Sequence, residues 1–189
     1  IKRKIGRQNT NMVDIKNSIR TVPDFPIEGI QFRDITGLLE DTEAFNKCLI
    51  DLTAEIMLFK GDVIVGIESR GFLFGTPLAR DIEIPFVLAR KPGKLPNKTV
   101  SKKYDLEYGK AELQIQLLSP INGKVIIIDD LIATGGTALA CANLIHENWN
   151  IPKEDILILA VIDLPNLGGS AIIQDNGYNV RTLVEFDGE

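Results

Sequence analysis

The sequence predicts an α/β fold in which helices flank a doubly wound, mainly parallel sheet. Short apolar runs without polar alternation recur along the chain, as expected for strands that are buried on both faces of a parallel sheet. Segments with helical periodicity separate these runs, so strand and helix alternate. With 189 residues, 44% of them hydrophobic and 25% charged, the chain is expected to form a single domain over residues 1–189 with a substantial core.

The first element with a clear pattern is a long helix that begins near Asp41 and is expected to end at Gly61, a residue type common at helix C-caps. The apolar residues of this segment recur at helical spacing, at Phe45, Leu49, Leu52, Ile56 and Phe59. This spacing predicts a helix with one buried face.

Buried strands and further helices follow in alternation. The apolar runs that predict strands cover residues 63–67, 85–89, 125–129 and 156–162, and residues 113–116 resemble a further short strand. The candidate helices lie at about residues 71–82, 137–149 and 167–175. Because ligands of such sheets bind outside the carboxyl ends of the strands, we expect the functional residues there.

Two segments depart from this alternation. Residues 21–39 have prolines and mixed polarity, and we interpret them as an N-terminal hood. Residues 91–112 are mostly polar and rich in Lys, Gly and Tyr, and they predict a long flexible lid loop, since long loops in compact domains are usually functional. The chain does not begin with Met, so residues 1 to about 10 are interpreted as a tag or a truncated start.

Charge and composition exclude several classes of partner. Twenty-six acidic side chains against 21 basic ones give a formal charge of −5, so the chain lacks the positive field that nucleic acid or an anionic membrane would require. The basic start is not followed by the apolar run of a secretion signal, and no segment is apolar enough to predict a membrane span. The spacing of Cys48 and Cys141 fits neither a disulfide framework nor a metal site, which predicts free thiols in the cytoplasm.

The most informative motif is an acidic pair followed by a glycine turn. Asp129 and Asp130 end a predicted buried strand, where adjacent carboxylates repel and need partners such as sugar hydroxyls or a cation. Residues 134–137 then provide flexible backbone and N–H groups at a predicted helix start, which favours an anion. The motif therefore predicts a cradle for ribose 5-phosphate, and the alternative is a purely structural glycine turn. It is neither a Walker loop nor a GxGxxG fingerprint.

A second anion site is predicted after the strand at residues 63–67. Ser69 and Arg70 precede a candidate helix, and the planar guanidinium of Arg70 suits a pyrophosphate group. The alternative is that Arg70 forms a structural salt bridge with Glu68. Further along, residues 90–96 carry three cations and suggest a cover that excludes water over an anionic substrate. The alternative for that segment is a solvated loop with incidental charge.

Four segments together resemble the adenine-specific branch of the type I phosphoribosyltransferases. They are residues 68–75, 90–96, 106–112 and 129–137, and the resemblance extends over about residues 12–187. It implies a homodimer that transfers the 5-phosphoribosyl group from phosphoribosyl pyrophosphate (PRPP) to adenine, giving AMP and pyrophosphate. It also implies Mg²⁺ as the cofactor, held mainly by PRPP rather than by assigned protein ligands.

The resemblance implies a role for each matching residue. The ribose hydroxyls would be held by Asp129 and Asp130, and the 5′-phosphate by Ala133, Thr134, Gly135, Gly136 and Thr137. Pyrophosphate or the closed lid would involve Ser69, Arg70, Lys91, Lys94 and Tyr108. The catalytic acid–base group would be Glu107, and adenine would lie near Phe32, Arg33 and Leu164. Gln31 departs from the family pattern, in which an aliphatic residue is common at that position.

Two other functions compete with this interpretation. A related enzyme could act on guanine, hypoxanthine, xanthine or orotate instead of adenine. A regulator that senses PRPP could keep the sugar-phosphate cradle without catalysis, but it should also carry a basic face or a nucleic-acid-binding extension. His146, the single histidine, lies within a predicted helix with no nucleophile motif around it, so we expect no catalytic role for it.

Overall fold

The computed structural model describes residues 13–106 and 109–187. Its α-helices are α1 (Ile15–Ser18), α2 (Thr36–Glu40), α3 (Thr42–Phe59), α4 (Gly71–Asp81), α5 (Gly136–Trp149) and α6 (Gly169–Asp175). Its strands are β1 (Arg20–Pro23), β2 (Gln31–Asp34), β3 (Val63–Ile67), β4 (Phe86–Ala89), β5 (Thr99–Leu106), β6 (Gly109–Gln116), β7 (Val125–Ile132), β8 (Ile156–Asp163) and β9 (Asn179–Glu185). Short 3-10 helices cover Lys153–Asp155 and Pro165–Leu167.

The centre of the fold is a parallel sheet. Within the described residues it has five strands in the order β4-β3-β7-β8-β9, and every neighbouring pair is parallel. Helices α3 and α4 pack on one face, whereas α5 and α6 pack on the other. The predicted α/β fold class with helices on both faces is therefore confirmed.

Strand β7 shows why its apolar run has no polar alternation. Val125 and Ile127 are buried in the core formed with α5, whereas Ile126 and Ile128 are buried in the core formed with α3 and α4. Because successive side chains of a strand point to opposite faces, a sheet covered on both sides needs apolar residues at every position. Complete burial of one such side chain stabilises the fold by about 1.5–3 kcal/mol.

Helix α3 forms where the spacing predicts it, but its end differs from the prediction. Asp41 is the N-cap and accepts hydrogen bonds from the backbone N–H groups of Glu43 and Ala44. The left-handed residue at the C-terminus is Lys60, with φ of 63°, rather than Gly61. A Cβ atom on Gly61 would lie 2.6 Å from Cγ1 of Ile126, so close packing explains this glycine. None of the helices in the described ranges is long and apolar enough to cross a membrane.

Two strands of the central sheet differ from the sequence-based expectations. Strand β7 continues to Ile132, so Asp129 and Asp130 lie within the strand and not at its end. Strand β9 was not predicted at all. It pairs with β8 alone, at one edge of the sheet, and most of its side chains are exposed or half-buried. An edge strand of this kind has no continuous apolar run, which explains why the pattern missed it.

Residues 21–39, the predicted hood, contain a small antiparallel hairpin of β1 and β2, which is followed by α2. Ile35 and Leu38 are buried in the core beside α3, so these side chains anchor the segment to the main body. In the hairpin itself, the residues of β1 are exposed and those of β2 are half-buried. The function of this segment as a hood stays a prediction.

The prediction of a long loop over residues 91–112 is wrong for much of its length. Strands β5 and β6 form an antiparallel hairpin with Thr99 opposite Gln116 and Leu106 opposite Gly109. Leu113 and Ile115 are buried in the core beside α5, and Lys102 Nζ lies 2.5 Å from Glu147 Oε1 of that helix. The hairpin is thus packed on the body of the protein by apolar and charged contacts.

Candidate active site

A cleft of about 880 Å³ lies at the carboxyl ends of β3 and β7, where the fold class predicts a ligand site. Its walls come from the loops after these two strands, from the segment after β4 and from the β5–β6 hairpin. The volume lies in the range of small-molecule sites. The predicted site residues that line it are Ser69, Arg70, Lys91, Asp129, Asp130, Ala133, Thr134, Gly135, Gly136 and Thr137.

The two aspartates of β7 occupy different environments. Asp130 is 3% exposed, and Nε of Arg70 lies 2.7 Å from its Oδ2. Asp130 has the strand parity of Ile126 and Ile128, the side covered by α4, which places it on the same face as Arg70. The contact is an ion pair without hydrogen-bond alignment, so the buried Oδ2 accepts no hydrogen bond within the described residues. The charge of Arg70 partly offsets the cost of burying this carboxylate.

Asp129 is half-buried at the floor of the cleft, and its Oδ1 accepts a hydrogen bond from the backbone N–H of Asp130 at 2.9 Å. Burial raises the pKa of Asp129 well above its usual value, and the negative charge of Asp130 raises this pKa further. The pair therefore carries unfavourable electrostatic energy in the empty protein. A ligand that donates hydrogen bonds to these carboxylates would offset part of that cost.

The turn after β7 leads directly into α5. Gly135 has φ of 79°, in the left-handed region that glycine tolerates best, and α5 begins at Gly136 without a hydrogen-bonding side-chain cap from the described residues. The first N–H groups of a helix lack carbonyl partners within the helix, and the helix dipole makes this end attractive to anions. The start of α5 can therefore bind a phosphate group through its backbone.

Arg70 and Glu68 do not form the structural salt bridge that was the alternative interpretation. Glu68 instead accepts hydrogen bonds from Arg90, at 3.2 Å from Nε and 2.9 Å from Nη2. It also accepts one from the backbone N–H of Lys91 at 2.9 Å. These hydrogen bonds, above all those from Arg90, lower the pKa of Glu68. Arg70 is consequently left to pair with Asp130 and to face the cleft.

The pair of Glu68 and Arg90 joins two of the loops that line the cleft. Besides its contacts with Glu68, Arg90 donates a hydrogen bond from Nη1 to the backbone carbonyl of Lys94 at 3.2 Å. The loop after β3 and the segment after β4 are thereby held together. Arg90 and Lys94 themselves do not line the cleft within the described residues.

The β5–β6 hairpin contributes five residues to the cleft that were not predicted from the sequence as site residues. They are Lys103, Tyr104, Lys110, Ala111 and Glu112. Lys103 and Glu112 are direct cross-strand partners, so their side chains lie on the same face of the hairpin. The strand predicted at residues 113–116 is the second half of β6. Its period-two alternation extends back to Ala111, and following it would have included Lys110 and Glu112 in the strand.

The residues assigned to adenine lie beside the described cleft and do not line it. The Arg70 guanidinium lies 5.9 Å from the centre of the Phe32 ring, which brings the β1–β2 hairpin next to the cleft. The Arg33 side chain donates hydrogen bonds to Oγ1 of Thr21 and to the carbonyl of Asp187. Leu164 is buried at the end of β8. Glu107 and Tyr108 lie outside the described residues.

Comparison with known families agrees with this geometry. Residues 37–148 match the model of the "Phosphoribosyl transferase domain", which covers more than half of the chain and defines its class as a pentosyltransferase enzyme. The sequence is 49% identical to an adenine phosphoribosyltransferase of Shewanella frigidimarina, over 93% of this chain and 95% of that protein. It is 46% identical to one of Pseudoalteromonas atlantica, over 93% of this chain and 97% of the other.

Solved structures show the same relationship. The crystal structure of adenine phosphoribosyltransferase from Thermoanaerobacter pseudethanolicus has a TM-score of 0.82 and 43% identity, covering 91% of this chain and 98% of that one. The Giardia lamblia enzyme complexed with 9-deazaadenine has a TM-score of 0.84 and 31% identity, covering 92% and 96% respectively. The chain therefore belongs to the adenine phosphoribosyltransferase family.

Proposed function

We propose that this protein transfers the 5-phosphoribosyl group of PRPP to adenine and releases AMP and pyrophosphate. The observation that carries the proposal is the convergence of three groups in one cleft. These are the acidic pair of β7, the start of α5 and the guanidinium of Arg70. A ribose 5-phosphate needs hydroxyl acceptors and a phosphate site, and a departing pyrophosphate needs cations.

The sugar-phosphate half of PRPP would bind along β7 and the start of α5. Asp129 and Asp130 would accept hydrogen bonds from the ribose hydroxyls. The backbone N–H groups of residues 134–137, together with the hydroxyls of Thr134 and Thr137, would bind the 5′-phosphate. Since these groups belong to a sheet strand and a helix start, they would hold the reacting C1′ carbon in a fixed position.

The pyrophosphate half would leave toward the opposite side of the cleft. Ser69, Arg70 and Lys91 line this side, and the family resemblance assigns Lys94 to the same group. Positive charge becomes concentrated near C1′ as the glycosidic bond breaks, while negative charge develops on the pyrophosphate. Fixed cations beside the leaving group therefore stabilise the transition state more than the ground state.

The donor set of the cleft fits Mg²⁺ that is held mainly by PRPP. No cluster of three or more His, Cys, Asp or Glu within residues 13–106 and 109–187 could enclose a metal ion. The acidic pair and the open cleft leave room for a cation whose other ligands are substrate oxygens, the usual arrangement for Mg²⁺ and phosphates. When bound, Mg²⁺ supplies charge neutralisation to the pyrophosphate.

Adenine would bind between the β1–β2 hairpin and the end of β8, near Phe32, Arg33 and Leu164. The proximity of Phe32 to Arg70 supports this placement, because it brings an apolar ring to the edge of the cleft. The relative from Giardia lamblia binds 9-deazaadenine, an adenine analogue. Glu107 is proposed as the group that accepts a proton from the purine.

A substrate panel tests the proposed function. The purified protein is incubated with PRPP and Mg²⁺ and with one base at a time, from adenine, hypoxanthine, guanine, xanthine and orotate. When adenine is the base supplied, liquid chromatography should detect AMP as a product, and pyrophosphate should form in an amount equal to that of AMP. Asp130→Asn should lower kcat/KM by about 10²-fold or more, the usual cost of a lost transition-state contact. The control variant Asp51→Asn removes a half-buried carboxylate of α3 that pairs with Lys47 and does not line the cleft, so it should retain activity.

Two results would contradict the proposal. If the protein formed a nucleotide from another base and none from adenine, its base specificity would differ from the one proposed. Calorimetric binding of PRPP with no turnover of any base would indicate a PRPP-binding regulator instead of an enzyme. Assembly as a homodimer stays a prediction from the family resemblance, and light scattering of the purified protein would test it. A cytoplasmic location stays a prediction from the spacing of the two cysteines.

A further inference from the structure

We propose that Gly169 is a positioning residue for the 5′-phosphate loop, held against residues 133–135 at a distance that only glycine allows. This inference rests on the proposed function, because it assigns the phosphate to that loop. Gly169 is far from the loop in sequence, at the start of α6, and does not line the cleft itself. It would act through the backbone that it contacts.

The contact is made between backbone atoms. The N–H of Gly169 donates a hydrogen bond to the carbonyl of Ala133 at 3.1 Å. A Cβ atom on Gly169 would lie 2.2 Å from that carbonyl oxygen, 2.6 Å from the backbone nitrogen of Gly135 and 2.8 Å from the carbonyl carbon of Thr134. Distances below 3.0 Å are too short for real Cβ atoms, so a methyl group would displace this backbone.

The approach is reciprocal. A Cβ atom on Gly135 would lie 2.8 Å from the carbonyl oxygen and 3.0 Å from the Cα atom of Gly169. Glycine at position 135 is thus required by its left-handed backbone and by Gly169 as well. Two glycines in contact let the loop after β7 and the loop after β8 pack directly against each other.

The connection between β8 and α6 keeps Gly169 in this position. Leu164 donates a backbone hydrogen bond to Ile132 at 3.0 Å, so the connection is bonded to the end of β7 at its start and to Ala133 at its other end. The 3-10 helix Pro165–Leu167 lies between these two bonds. The same short segment therefore joins Leu164, assigned to the adenine side, to the phosphate loop.

A methyl group at Gly169 should therefore impair phosphate binding by shifting the N–H groups of the loop. The affinity for ribose 5-phosphate should fall by about tenfold or more, because charged hydrogen bonds are lost or misaligned. The KM for PRPP should rise by a similar factor, whereas the KM for adenine should change by less than about threefold. Such a split between the two substrates is not expected from a general loss of stability.

The test compares Gly169→Ala with two other glycine variants. In Gly61→Ala the new Cβ atom meets the Ile126 side chain at 2.6 Å, at the opposite end of the sheet, so it controls for destabilisation by steric overlap. In Gly168→Ala the new Cβ atom meets nothing within 4 Å, although its φ of 72° disfavours alanine, so it controls for strain in the same connection. Melting temperatures, steady-state kinetics and calorimetry with ribose 5-phosphate are measured for all three.

The expected result is a selective rise of the KM for PRPP and weaker ribose 5-phosphate binding in Gly169→Ala, with near-parental values in both controls. The inference is overturned if Gly169→Ala binds ribose 5-phosphate like the parent, or if Gly168→Ala loses as much affinity as Gly169→Ala. These results are distinguishable from failure of the proposed function, since in that case the parent protein itself would not convert adenine to AMP.

Discussion

The two walls of the cleft hold charge in different ways. The wall formed by β3 and β7 carries Asp129 and Asp130 on a strand of the buried sheet, holds Arg70 against Asp130 at the start of α4, and presents backbone N–H groups at the start of α5. The wall formed by the β5–β6 hairpin presents exposed lysine side chains, Lys103 and Lys110, on long flexible stems. Groups fixed by a buried scaffold need little reorganisation when a ligand binds, whereas lysine side chains lose rotamer entropy. We therefore expect the sheet wall to dominate binding and catalysis.

The largest effect is expected at Arg70, on the sheet wall. Arg70→Gln removes a cation from the leaving-group side and leaves the buried carboxylate of Asp130 without its ion-pair partner. Steady-state kinetics should show kcat/KM reduced by about 10²–10³-fold. Arg80→Gln is the matched control, because Arg80 lies at the other end of α4, away from the cleft, and pairs with its exposed neighbour Asp81. If the two variants had equal activity, Arg70 would have no role in stabilising the leaving group.

Glu107→Gln tests whether Glu107, between β5 and β6, acts as the general base of the reaction. If Glu107 accepts the purine proton, kcat should fall by about 10²-fold, with a smaller change in the KM for adenine. Glutamine keeps the shape and hydrogen-bonding capacity of the side chain but cannot act as the base. A near-parental kcat in Glu107→Gln beside a large loss in Glu107→Ala would leave only a structural role for this residue.

Asp129→Asn should stabilise the empty protein, with an effect of intermediate size. The pKa of Asp129 is higher in the folded protein than in the unfolded chain, so protonation of this carboxyl favours the folded state. This contribution to stability is complete below the pKa that Asp129 has in the unfolded chain, and it is lost as the pH rises through its pKa in the folded protein. Asparagine stays neutral, so the variant should melt a few degrees higher than the parent at pH 7, and the gain should vanish near pH 4. Thermal unfolding across this pH range checks the sign. A lower melting temperature at pH 7 would show that the carboxylate is structural.

The smallest effect is expected at Lys103, on the hairpin wall. Lys103→Gln removes one exposed charge opposite Glu112, so the KM for PRPP should rise only about two- to fivefold and should change little in high salt. Lys98→Gln, an exposed lysine outside the cleft, is the control. An effect as large as that of Arg70→Gln would reverse the proposed ranking of the two walls.

The same difference explains how much of the molecule could be predicted from sequence. The buried strands and α3 were predictable because their apolar residues follow a local period, and the motif of β7 and α5 is contiguous in the chain. The edge strand β9 and the polar strand β5 bury few side chains, so their local patterns are weak. Contacts between distant residues, such as Arg70 with Asp130 and Gly135 with Gly169, arise only when the sheet brings its loops together.

The central claim is that the start of α5 binds the phosphate of ribose 5-phosphate through its backbone. Calorimetric titration of the parent and of Gly136→Val with ribose 5-phosphate tests it most directly, because a valine side chain at the first residue of α5 should obstruct the approach of the phosphate. The account predicts that affinity falls by about 10²-fold in the variant while the melting temperature stays close to that of the parent. Equal affinity in the two proteins would contradict the assignment of the phosphate to this helix start.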